Sequence, residues 1–157
     1  MNIFFLSENI EECARFHNDK HVVKMILECA QLLSSVHHMT GTADESCYKL
    51  THKNHPCAIW ARTTKGNYFY LLELAQALGR EYTYRYGKVH RSITERINLM
   101  PSPSGVPDGE FTYPPKCMPD EYKETSVVGS YREYYCNDKA YMCTWKKREI
   151  PEWFCPA

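Results

Sequence analysis

The chain has 157 residues, of which 43% are hydrophobic and 24% charged, the make-up of one globular domain with a real core. Its 19 basic residues balance its 19 acidic ones, so the formal net charge is zero. Affinity for duplex DNA comes largely from neutralising phosphates, and this balance argues against strong nonspecific duplex binding. No apolar run is long enough to cross a membrane. The start, Met1 to Leu6, lacks the basic region and small-residue cleavage site of a secretory signal, so a cytoplasmic protein is expected.

The first residues read as a short β-like segment. Residues 9 to 38 then read as one long helix, with Val22, Met25, Ile26, Cys29, Leu32, Leu33 and Val36 recurring as a buried stripe. Ser7 is the expected cap, and Glu11 and Glu12 suit the positive end of the helix dipole. A loop over 39 to 53 leads to a second helix opening at Pro56, a residue favoured in a first turn. A break near Lys65-Gly66 precedes a third helix, from about Asn67 to Tyr86, ended by Gly87. A short helix is expected within 88 to 99.

Residues 100 to 125 hold most of the prolines and read as a long irregular segment, a linker or lid within the domain. A last helix is expected over roughly 126 to 143, and Trp145, Trp153 and Phe154 would anchor the C-terminus. The fold expected is all-α: a compact single-domain bundle of about four to five helices, spanning 1–157, with a long proline-rich loop.

The eight cysteines contain no C-x-x-C pair, which argues against a zinc ribbon or finger. In a reducing compartment they read as free thiols, with Cys13 and Cys29 as small core residues. His17 and His21 lie four apart on one helical face, continued by Lys24 and Glu28. His52 and His55 lie three apart beside Asn54, with Arg62 two turns further on. Such residues supply acid–base chemistry or anion contacts. A metal-dependent hydrolase would need His17, His21, His52 and His55 to converge; no metal ligand is assigned and no cofactor is called for. Tyr131, Arg132, Tyr134 and Tyr135 cannot all face inward, and exposed tyrosines beside a guanidinium suit stacking on a base and gripping a phosphate. No Ser-His-Asp order, Gly-rich phosphate loop or H-E-x-x-H is present.

Several segments occur in the order found in one family. Met1-Asn2-Ile3 leads into a helix with His17, Lys53-Asn54-His55-Pro56 precedes Arg62, and Tyr68-Phe69-Tyr70-Leu71 runs on to Arg80-Glu81 and Tyr86-Gly87. Ser130-Tyr131-Arg132-Glu133-Tyr134-Tyr135 follows. In these segments the chain resembles the pyrimidine dimer DNA glycosylases of the T4 endonuclease V type. Asp19-Lys20-His21-Val22-Val23-Lys24-Met25, with Asn54-His55-Pro56, also resembles a protein family frequent in tailed phages.

The glycosylase resemblance implies an all-α domain in which an amine attacks the sugar C1′ and forms an imine, assisted by a carboxylate. The family's glutamate position falls on Val23 or Lys24 here. The implied catalytic set is therefore Met1 or Lys24 as nucleophile, with Asp19 or Glu28 as the acid–base group. His17, Lys20, His21, Asn54, His55, Arg62 and Arg132 would hold substrate, while Tyr131, Tyr134 and Tyr135 would stack on a base. The expected function is a divergent base-excision DNA glycosylase with abasic-site lyase activity, and its partner DNA. The alternative is a non-catalytic nucleotide or short-oligonucleotide binder on the same scaffold.

Overall fold

A computed structural model describes residues 2–157. Among them are six α-helices and no strand: α1 (Ile10–Phe16), α2 (Asp19–Thr40), α3 (Pro56–Ala61), α4 (Lys65–Tyr86), α5 (Arg91–Glu95) and α6 (Val127–Cys136). Short 3-10 turns follow α5, precede α6 and follow α6. The all-α expectation holds, and no helix is long and apolar enough to cross a membrane.

The two 22-residue helices, α2 and α4, form the spine. Every member of the stripe read on α2 is buried, and Val22, Ile26, Leu33 and Val36 are fully so, against Leu71, Ala75 and Leu78 of α4. Each such leucine or valine stabilises the fold by about 1.5–3 kcal/mol in apolar burial. Both helices end on a left-handed glycine, Gly41 and Gly87, a conformation closed to most other side chains. The expected β-like start is an irregular segment whose residues, Ile3 to Leu6, are buried in the core and join no sheet.

The single helix expected over 9 to 38 is two. Asn9, not Ser7, caps α1 by accepting from the Glu12 N–H, while the Ser7 hydroxyl donates to the Glu12 carboxylate. The chain then turns extended at His17 and Asn18, and Asn18 caps α2 by accepting from the His21 N–H. A buried ionic cluster holds the break in place. The fully buried Arg85 donates to Glu81 (2.7 Å), Asp19 (3.0 Å) and the Arg15 carbonyl (2.8 Å). Arg148 adds two hydrogen bonds to Glu81. Burial raises the Glu81 pKa, but the hydrogen bonds from Arg148 and Arg85 outweigh it and leave a net downward shift.

The proline-rich segment is a strap stitched to the start of α4. Lys65 and Gly66 donate to the Pro107 and Gly109 carbonyls, and Thr64 donates to Glu110. Asn67 and Thr112 exchange hydrogen bonds, and the Trp60 indole donates to the Thr112 carbonyl at 3.0 Å. The last helix stops at Cys136, earlier than expected. Trp145 then buries its ring and donates to the Phe16 carbonyl at 2.9 Å, as an anchor should.

Candidate functional site

Helix α2 carries one ionisable face beside the buried stripe. On it, Lys24 Nζ stands 3.8 Å from Glu28 Oε1, and the lysine side chain is 65% exposed against 14% for the glutamate. Helix α3 packs on α2 and opens at this face. Its first residue is Pro56, and its cap is His55, whose Nδ1 accepts from the Cys57 N–H at 3.1 Å. Burial lowers the His55 pKa, and the negative charge of Glu28 opposes that shift. Arg62 does not reach outward as a phosphate grip would; it donates to the Lys53 carbonyl at 2.7 Å and closes the loop before α3. Lys20 and Asn54 are exposed.

The strap brings Cys117 to the same place. Asn2 donates through Nδ2 to the Cys117 carbonyl at 2.7 Å, and the Cys117 N–H donates to the Tyr131 hydroxyl at 3.3 Å. Cys117 Sγ and Cys57 Sγ are 3.8 Å apart. Their hydrogen bond raises the pKa of the buried Cys57 and, as the largest cause, draws that of the more open Cys117 down to about 7. One ring nitrogen of His55 and the two sulfurs all lie within 4.8 Å of one another. Sequence reading passed over this cluster because Cys57 and Cys117 are sixty residues apart and no C-x-x-C marks them. The one available signal was the tight His55-Pro56-Cys57 spacing.

The predicted histidine face divides differently. His17 ends α1 and lies in the break, fully buried, with Nδ1 against the Cys13 carbonyl at 2.7 Å. His21 is buried on α2, with Nδ1 2.7 Å from the Tyr135 hydroxyl. Both pack on the Phe4 ring. Burial is the main reason their pKa values fall, to about 4 for His17 and about 2 for His21; the charges of Lys139 and Lys24 add to the His21 shift. They are therefore neutral packing groups, not cationic phosphate holders. His52 is exposed and hydrogen-bonds Thr51, so the four histidines do not converge among the described residues. Asp19 is equally committed. Its oxygens accept from Arg85, Thr144 and the Lys146 N–H, which fixes it as a clasp between the helix break and the C-terminal segment.

The tyrosine segment is split by α6. Tyr131 and Tyr135 are fully buried: Tyr131 donates to the Pro115 carbonyl at 2.6 Å, and Tyr135 supports His21 and the Asn18 N–H. Neither stands as an exposed stacking platform. Tyr134 is half-buried, with its ring centroid 6.2 Å from Phe4 and 6.1 Å from Tyr122, and Lys139 Nζ lies 5.1 Å over it. Arg132 turns to the other side. It donates to the Leu6 carbonyl and lies over the Phe16 and Trp153 rings, in a surface cavity of about 630 Å³. Met1 lies outside the described residues.

Glu28, Lys24, His55, Cys57 and Cys117 thus meet at one face, which Tyr134 and Lys139 approach through Phe4 and His21. Amine, carboxylate, imidazole and thiol together can move protons, add to an electrophilic carbon or hold a soft cation. No protein-family model, curated protein or solved structure matches this chain.

Proposed function

We propose that the chain is a nucleic-acid enzyme of the base-excision kind: a DNA glycosylase with abasic-site lyase activity that works through an amine. The observation that carries this reading is the Lys24–Glu28 pair, an amine 3.8 Å from a largely enclosed carboxylate. Glu28 is the carboxylate of choice, because Asp19 is saturated by structural hydrogen bonds. Lys24 is mostly in water and lacks the apolar enclosure that activates an amine. The α-amine of Met1, which lies outside the described residues, is the second candidate nucleophile.

In the reaction, the amine nitrogen bonds to the sugar C1′ as the glycosidic bond breaks, and the base leaves with the electron pair and a proton from the amine. Protonation of O4′ opens the ring and gives an iminium. Glu28, as carboxylate, then removes a proton from C2′, and the electrons flow to expel the 3′ phosphate. Tyr134 offers an edge for an unstacked base, and Lys139 and Lys24 supply local positive charge on a chain of zero net charge.

The test is borohydride trapping on duplexes bearing a cyclobutane thymine dimer or an abasic site, with the adduct mapped by mass spectrometry. The expected result is a covalent adduct on Met1 or Lys24, and strand cleavage reduced about hundredfold or more in Glu28→Gln. Neither adduct nor cleavage on either substrate overturns the proposal. Binding of nucleotide without an adduct would replace it with the non-catalytic binder.

A further inference from the structure

We infer that His55, Cys57 and Cys117 form a Cys2His site for a borderline-soft divalent cation, of which zinc is the first choice. A ring nitrogen and two sulfurs lie mutually within 4.8 Å, a grouping that could hold one ion once the donors draw in around it. The sulfur separation identifies the kind of bond the pair is set for. Two thiolates about 2.3 Å from a tetrahedral zinc stand about 3.8 Å apart. Cys57 and Cys117 stand 3.8 Å apart. A disulfide needs about 2.0 Å between sulfurs, so the pair as it stands is not bonded.

All three donors sit on fixed backbone. His55 and Cys57 flank Pro56 in the first turn of α3, and that helix packs against α2. Cys117 is fixed from both sides, its carbonyl by Asn2 and its N–H by Tyr131, whose hydroxyl also donates to Pro115. Fixed donors bind a metal without first being ordered. A thiolate pair with imidazole selects zinc over the oxygen-seeking magnesium and calcium. Three protein donors leave the fourth position to water or a substrate atom, the arrangement of sites that act on a ligand.

Binding has an identifiable cost. A neutral imidazole has one ring lone pair, and His55 Nδ1 now offers it to the Cys57 N–H. The ion takes that lone pair or forces the other tautomer, so one neutral capping hydrogen bond is exchanged for three coordinate bonds.

The experiment uses the full chain, reduced, stripped with a chelator and titrated with Co2+ and then Zn2+, with no nucleic acid present. The expected result is one Co2+ per chain with a tetrahedral visible spectrum and a sulfur-to-metal charge-transfer band, abolished by stoichiometric Zn2+. Cys117→Ser should weaken affinity by about a hundredfold or more, since even indirect support of a metal ligand is worth about 10–100-fold. Cys155→Ser, at an exposed thiol outside the cluster, should bind as the parent does. Circular dichroism of both variants separates lost ligation from lost folding, and His55→Ala serves as ligand-removal variant if Cys117→Ser fails to fold. Absence of the charge-transfer band in the reduced parent overturns the inference, as does equal affinity in a folded ligand-removal variant. Because no DNA enters the measurement, its failure leaves the amine chemistry untouched, and the failure of trapping leaves the metal site untouched.

Discussion

His17 and His21 are neutral packing groups, and acid measures how completely they are enclosed. Burial holds their folded pKa values at about 4 and about 2, against 6.5 for an open imidazole. A histidine with a depressed folded pKa takes up its proton preferentially in the unfolded chain. Stability is therefore full above pH 6.5 and falls as pH drops from there towards the folded value. At about pH 5 an open imidazole is almost wholly protonated and either buried ring almost wholly neutral, so each contributes a loss of about 2 kcal/mol. Together they remove about 4 kcal/mol, a large share of the roughly 5–15 kcal/mol that holds a domain together.

The assay is urea unfolding near pH 7.5 and near pH 5, on the parent and on His21→Gln. The substitution destabilises at both values because it disturbs the 2.7 Å contact with Tyr135, so the readout is the change between the two pH values. His37, His55 and His90 also carry lowered pKa values but are present in both proteins and cancel. Glu81 is silent in this window, because a depressed carboxylate loses its contribution only as pH falls below the usual 4.5. The parent should lose about 2 kcal/mol more than His21→Gln. Equal losses, or a His21 ring whose NMR shifts titrate near 6.5, would refute the buried neutral assignment.

Two further substitutions probe the scaffold. Arg85→Met strips the shared donor from Glu81 and Asp19 and should cost about 3–5 kcal/mol in chemical denaturation, as breaking a buried ion pair does; a loss below about 1 kcal/mol would show that the cluster is not what fixes the helix break. Gly66→Ala would place a Cβ 2.5 Å from the Glu110 carbonyl carbon and closer still to the Phe111 nitrogen. It should cost about 1–3 kcal/mol and raise amide exchange across 107–112, and unchanged exchange there would mean the strap is held elsewhere.

Periodicity carried most of the fold. The stripe from Val22 to Val36 and the stop at Gly87 follow from local rules, and both are present as read. The break at His17 and Asn18 escaped because its cause is distant: Arg85, Glu81 and Thr144 hold it from far along the chain. For the same reason Asp19 read as a catalytic candidate, although hydrogen-bond partners more than sixty residues away consume it. Tyr131 and Tyr135 were ambiguous by residue type, since a tyrosine suits a base stack or a core equally. Only the fold supplies the Pro115 carbonyl and His21 that satisfy their hydroxyls.

Part of the chain's balanced charge is used internally. Asp19 and Glu81 are engaged with Arg85 and Arg148, Glu11 pairs with Arg80, and Glu95 pairs with Arg91. These pairings take up four acids and four bases, so the charge that remains is still balanced. At the face where Glu28 meets His55, Lys24 and Lys139 act on His21 with the same sign, and Lys123 acts on Cys117. Acids stand among these bases: Glu28 is 3.8 Å from Lys24, Asp120 is 3.0 Å from Lys123, and Asp138 accepts from Tyr122, whose ring packs on Tyr134. That face is therefore of mixed charge, and on the reading proposed above Glu28 is there for proton transfer and not for attracting anions.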